Sequence, residues 1–171
     1  MRYIFLLTFF YIFSFAEILN INSFEADFKQ VITNSEANKL YYTGHIKAKK
    51  PLYALWDYST PSSKLIYVLD KKVTIIEPDI EQVIIKNIGI SIDFFTILKH
   101  AKKIAVDTYI ASFQSIKYTI KIKNKNLVSI SYKDELDNSI NIIFTHQKYN
   151  LIMQRKEFIP LIPQEFDIIQ G

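Results

Sequence analysis

Residues 44–83 read GHIKAKKPLYALWDYSTPSSKLIYVLDKKVTIIEPDIEQV. Within this stretch four short runs alternate apolar with polar residues, and they are separated by Lys50-Pro51, by Thr60-Pro61-Ser62-Ser63 and by Asp70-Lys71-Lys72. A period of two places each set of side chains on its own face of an extended chain, and clusters of Pro, Ser and Asp are where such a chain turns. The stretch is therefore predicted to be an antiparallel β meander.

The same pattern extends in both directions. From Lys39 to Lys49, Leu40, Tyr42, Gly44, Ile46 and Ala48 share one face, while Lys39, Tyr41, Thr43, His45, Lys47 and Lys49 share the other. Phe24, Ala26, Phe28 and Gln30 form an earlier row. Ile116, Tyr118, Ile120 and Ile122 form a later one, followed by Val128, Ile130 and Tyr132 and then by Ile140, Ile142 and Phe144. Turns are expected at Asn124-Lys125-Asn126 and over residues 135–138. One segment breaks the period. Residues 91–104, SIDFFTILKHAKKI, carry Phe94, Ile97, Ala101 and Ile104 at helical spacing beside Ile92, Phe95 and Leu98. Ser91 is placed to cap this helix, with Asp93 in its first turn and Lys102-Lys103 in its last, the charge order that the helix dipole favours. Short strands with single apolar faces call for a curled sheet or barrel, and a barrel that curls round one amphipathic helix lying across its mouth is the simplest architecture.

Composition bounds what such a sheet can do. Of 171 residues, 49% are hydrophobic and 15% aromatic, ample for one core, and three Gly and five Pro leave no stretch that reads as a linker between domains. The net charge is +4, with lysines spread along the sequence. The aromatics alternate with aliphatics and not with Lys or Arg, which argues against nucleic acid. Attraction to an anionic membrane surface, or simple solubility, is the natural use of a mild positive charge. The start reads as a secretory leader: Arg2, an apolar run from Tyr3 to Phe13, then Ser14-Phe15-Ala16 as a small-residue cleavage site. Cleavage after Ala16 is expected, giving residues 1–16 as signal peptide and residues 17–171 as a single domain. There is no Cys, so no disulfide can form and no N-terminal lipid anchor is expected; the secreted chain is expected to diffuse freely.

Gly44, the basic pair before Pro51, Trp56, Tyr58, Pro61, Asp70, Pro78 and Glu81-Gln82-Val83 follow one another at spacings that resemble the LolA-type periplasmic carriers of outer-membrane lipoproteins. Residues 21–30, INSFEADFKQ, are similar to that family's opening strand with its Ser-Phe and Phe-x-Gln elements, and residues 158–169, FIPLIPQEFDII, to its closing strand and Pro-rich turn. The resemblance implies a mainly β fold, an incomplete antiparallel β-barrel of about ten to eleven strands with an α-helical lid over an apolar cavity. It also implies a monomer in the periplasm that takes acylated lipoproteins from an inner-membrane releasing ABC transporter and delivers them to the outer membrane, where an acceptor is a further expected partner. The inward rows then nominate Phe28, Tyr42, Ile46, Ala54, Trp56, Tyr58 and Val68 for the acyl-chain cavity, and Ile92, Phe95 and Leu98 for the lid. The family's lid latch, an Arg before Pro51, is here Lys50, which has no planar fork of donors. Other departures are a short segment before the first strand, an Asp70-Lys71-Lys72 hairpin without Gly, and Ile76 in place of an aromatic. A sensor module for a lipid or protein on the same barrel is the other reading.

Catalysis finds little support. His45, His100 and His146 have no metal-ligand spacing, there is no Gly-x-Ser-x-Gly elbow or phosphate-cradling Gly loop, and Glu77, Asp79 and Glu81 read as an exposed acidic turn. No catalytic residue, metal or cofactor is expected, and no nucleic-acid partner.

Overall fold

The computed structural model describes residues 20–87 and 94–171. The leader assigned to residues 1–16, and Ser91, Ile92 and Asp93 of the proposed helix, lie outside the described residues.

The strands are β1 (Ser23–Thr33), β2 (Lys39–Lys49), β3 (Tyr53–Thr60), β4 (Lys64–Leu69), β5 (Lys72–Glu77) and β6 (Gln82–Asn87). Helix α1 (Phe94–Lys99) comes next, followed by β7 (Lys102–Ala105), β8 (Thr108–Phe113), β9 (Ile116–Lys123), β10 (Asn126–Lys133), β11 (Ser139–Tyr149) and β12 (Asp167–Gln170). They form one 12-stranded sheet in the order β12-β6-β5-β4-β3-β2-β1-β11-β10-β9-β8-β7. Every pairing is antiparallel except β12 with β6, which is parallel. β12 and β7 end the sheet at opposite edges and do not pair, so it is an open curl and not a closed barrel. The count exceeds the ten to eleven strands expected because Lys102–Ala105, assigned from the sequence to the end of the helix, forms the short edge strand β7.

The inner face buries the alternating rows: Phe24, Ala26 and Phe28 of β1, Ile46 and Ala48 of β2, Tyr118, Ile120 and Ile122 of β9, and Ile140, Ile142 and Phe144 of β11. In β10 the buried row begins at Leu127, not at Val128 as the alternation predicts. A register shift between Leu127 and Ser129 explains this, since one extra residue reverses the inward parity on one side of the irregularity.

Helix α1 is shorter than the sequence pattern suggests. Its hydrogen bonding closes with His100 N–H to Thr96 and Ala101 N–H to Leu98, after which Lys102 to Ala105 extend and pair with β8. Lys102, Lys103 and Ile104 therefore belong to an edge strand, where Ile104 is exposed instead of completing a helical stripe.

Tight turns are made with hardly any glycine. The β4–β5 loop is the pair Asp70-Lys71, with Asp70 at φ 56°, and the β9–β10 loop is Asn124-Lys125 at φ 51° and 63°. Asp and Asn tolerate the left-handed region better than other non-Gly residues, which is why the hairpin closes without the Gly expected there. Gly44 is needed for a different reason: a Cβ there would run into the backbone oxygen of Asp57 and come within 2.7 Å of the Phe28 ring.

The outer face of β3–β6 is covered by the chain between β11 and β12. Phe158, fully buried, stacks on Tyr53 with ring centroids 5.8 Å apart, and Met153, Thr74, Ile76 and Val83 are buried outside the inner core cluster. Lys47 pairs with Glu157 at 3.1 Å, Arg155 with Asp70 at 3.5 Å, and the Lys49 ammonium donates to the Met153 carbonyl. Backbone hydrogen bonding to Gln154 first, then Lys47, holds the Glu157 carboxyl below its ordinary pKa.

Candidate functional site: an apolar hollow under a short helix

The inner face is not filled uniformly. Near β1 and β11, α1 packs tightly: Phe24 stacks on Phe94 at 5.2 Å and meets Phe144 edge-on at 5.4 Å, while Phe95, Ile97 and Leu98 are buried. Toward β3–β5 the helix leaves a hollow of about 430 Å³. Its walls come from Ala54, Trp56 and Tyr58 of β3, Ile66 and Val68 of β4 and Val73 of β5. Facing them are Ile116 and Tyr118 of β9 and Ile130 and Tyr132 of β10, with Phe94, Phe95 and Ile97 of α1 across the top. Strands far apart in the sheet order share one hollow, so the curl itself creates the site.

No charged side chain lines the hollow among the described residues. The polar groups there are tied up or neutral. The Tyr58 hydroxyl donates to Gln30 Oε1 at 2.9 Å, Gln30 is itself buried, and the Tyr118 and Tyr132 rings lie 5.1 Å apart. Burial, and next the Tyr132 and Tyr42 phenols, push the Tyr58 pKa far above its ordinary value, so this group stays protonated at neutral pH. A larger depression of 1130 Å³ lies beside it, but Lys39, Lys117, Lys133, Asp134 and Glu135 are on its walls, which makes it unsuited to hydrocarbon.

Of the cavity residues nominated from the sequence, Ala54, Trp56, Tyr58 and Val68 line this hollow, as does Phe95 of the nominated lid. Phe28 lies behind the wall, with its ring edge-to-face against Trp56 at 5.2 Å and Tyr58 at 5.0 Å. Ile46 is fully buried in the core, and Tyr42 props Tyr58 from the side at 5.8 Å. Leu98 is buried away from the hollow, and Ile92 is outside the described residues. The Lys50 ammonium sits over the Phe95 ring, 5.7 Å from its centroid, so it contacts the helix through a π face. Ile66, Val73, Ile116, Ile130 and Ile142 were not nominated; all but Val73 fall on inward rows that alternation reveals, but alternation does not say which part of an inward face stays empty.

On the outer face, His45 and His146 meet at Asp27. Each Nδ1 is 2.8 Å from a different oxygen of that carboxylate, which can only accept, so both rings donate. These two bonds lower the Asp27 pKa, His45 first. No group of three His, Cys, Asp or Glu could hold a metal ion among the described residues.

An open β cup with an uncharged hollow beneath a helix defines a class of proteins that shelter an apolar ligand. The comparisons narrow the class. The family model described as outer membrane lipoprotein carrier protein LolA matches residues 19–110. An outer-membrane lipoprotein carrier protein of Campylobacter jejuni is 38% identical over 91% of both chains, and one of Wolinella succinogenes 33% identical over 88% of both. A LolA superfamily protein from Nitrosomonas europaea shares the fold with a TM-score of 0.55 at 10% identity, covering 84% of this chain and 93% of that one. The chain belongs to the LolA family of outer-membrane lipoprotein carrier proteins.

Proposed function

We propose that this protein is a periplasmic carrier that takes the acyl chains of lipoproteins into the hollow under α1 and delivers its cargo to the outer membrane. The observation that carries this reading is the uncharged 430 Å³ hollow with a short helix as its roof, within the ~300–1,000 Å³ typical of small-ligand sites. One chain of about sixteen carbons costs on the order of 10 kcal/mol to expose to water at ~0.8 kcal/mol per methylene, so a carrier must shield it throughout transit. Trp56, Tyr58, Ala54, Val68 and Phe95 supply that shield, and the Gln30–Tyr58 pair suits the carbonyl end of an acyl chain.

Release requires the roof to move. Lys50 on Phe95 serves as the latch in place of the family's Arg: one cation–π contact, worth about 0.5–1 kcal/mol at an exposed site, yields more readily than a fork of hydrogen bonds. Residues 1–16 act as the cleaved leader and the remainder as one domain, working as a monomer. Loading at an inner-membrane ABC-type releasing machine and unloading at an outer-membrane acceptor complete the route. A sensor role is not favoured, because the relatives that span most of the chain are named as carriers. Depleting the protein in its native cell tests the proposal: acylated lipoproteins should accumulate at the inner membrane, and unchanged partition between the membranes would refute it.

A further inference from the structure

We infer that the wing formed by α1 and β7–β10 is a docking face for an anionic phospholipid surface, with Ile104 and Val106 at its tip and exposed lysines around them. This deepens the carrier reading, on which it rests for the protein's reason to visit a membrane. Residues 94–133 hold eight lysines, no arginine and a single acid, Asp107, whereas the rest of the chain holds thirteen basic and sixteen acidic residues. The whole positive excess of the molecule therefore sits on one edge of its sheet, although the lysines look dispersed along the sequence.

All eight lysines are exposed. Among the described residues only one of them, Lys133, forms an ion pair, 2.8 Å from Asp137. Elsewhere, by contrast, Lys47, Lys64 and Lys148 are paired with Glu157, Glu77 and Glu25. Solvated charges gathered on one wing, seven of them unpaired among the described residues, set up a field that extends about a Debye length, ~10 Å at 0.1 M salt, and draw the molecule toward anions.

The tip supplies what electrostatics lacks. β7 is an edge strand with all four residues exposed; Ile104 is 58% exposed and Val106, in the β7–β8 turn, 83%. The pairing of Thr108 with Lys121 sets Lys121 beside this turn, and the Ile122 N–H donates to the Asp107 carbonyl at 3.0 Å. The apolar tip is thereby pinned against the end of β9, next to Lys123 and Lys125. Aliphatic side chains ringed by long cationic ones match a lipid interface, where apolar atoms enter the acyl boundary and lysines reach the headgroups. A protein partner would call for exposed Arg and aromatic anchors, and the wing's rings of Phe94, Phe95, Tyr109, Phe113, Tyr118 and Tyr132 are buried or half-buried. Because β7 follows directly from α1, contact at the wing falls at the edge of the roof.

The test is sedimentation of the secreted protein, expressed from the full chain, with vesicles. Partition onto vesicles of phosphatidylethanolamine and phosphatidylglycerol should exceed that onto phosphatidylcholine about tenfold and fall steeply with added salt. A combined Lys102→Glu, Lys103→Glu and Lys123→Glu variant should lose most of this partition, and Val106→Asp should weaken it. Lys71→Glu with Lys72→Glu and Lys86→Glu, exposed on the other half of the sheet, should leave it in place. No partition at low salt overturns the proposal and leaves the wing to an acidic protein surface; so does partition that the wing variants do not change. Retention of an acylated peptide in solution, measured on the same proteins, reads the carrier function separately, so the wing proposal and the carrier reading fail by different results.

Discussion

At Gly44 a missing side chain decides the geometry of a wall. The Phe28 ring lies across this position on the neighbouring strand, and through Phe28 the rings of Trp56 and Tyr58 are held at the hollow. Gly44→Ala must displace both that ring and the Asp57 backbone, an overpacking that costs about 1–3 kcal/mol, measurable by chemical denaturation. Asp27 gives a pH signature on the opposite face. Its folded pKa lies below its ordinary 3.8, so its contribution to stability is complete above that value and is lost as pH falls through the folded one. Asp27→Asn should therefore cost a little stability at neutral pH, where exposed pairs contribute weakly, and the difference from the parent should vanish as pH falls well below about 4, which denaturation at a series of pH values reads directly. Neither role could be read from spacing. Gly44 was visible as an inward position of β2, but its reason is a ring on β1, and His45 and His146 become neighbours only when β2 and β11 flank β1.

Among the elements, the meander β2–β5 was legible because its period of two and its turn residues agree through most of its length. The end of α1 was not. Lys102, Lys103 and Ile104 satisfy a helical stripe as well as a strand, and pairing with β8 settles the matter. The two coverings of the sheet should respond oppositely to mutation. Phe158 is fully buried under the C-terminal covering, so Phe158→Ala should cost about 3–5 kcal/mol in stability and speed amide exchange in β12. At the roof, Lys50→Leu should leave the melting temperature nearly unchanged. It should alter the rate of cargo transfer to acceptor membranes by a factor of about two to five, the equivalent of ~0.5–1 kcal/mol. Unchanged transfer would remove Lys50 from the latch.

For the whole molecule, the hollow exists because α1 fills only one side of the curl. Phe94 stacks on Phe24 near β1 and β11, which leaves Ala54, Trp56 and Val68 facing empty space. The inward rows announced an apolar interior, while the placement of the gap depends on where the helix settles, a long-range outcome with no local signature. This gap makes a direct test possible. Ala54→Phe would project a ring into unoccupied volume, so the fold should lose less than about 1.5 kcal/mol, in contrast to an insertion into packed core. The ring nonetheless takes room from a ligand. Displacing even two methylenes at ~0.8 kcal/mol each weakens binding more than tenfold. Trp56 is the chain's one tryptophan and lies on the wall, so its emission should shift as a palmitoylated peptide titrates into the wild-type protein. The Ala54→Phe variant should need at least tenfold more peptide for the same shift; equal affinity would mean that acyl chains bind elsewhere on the molecule.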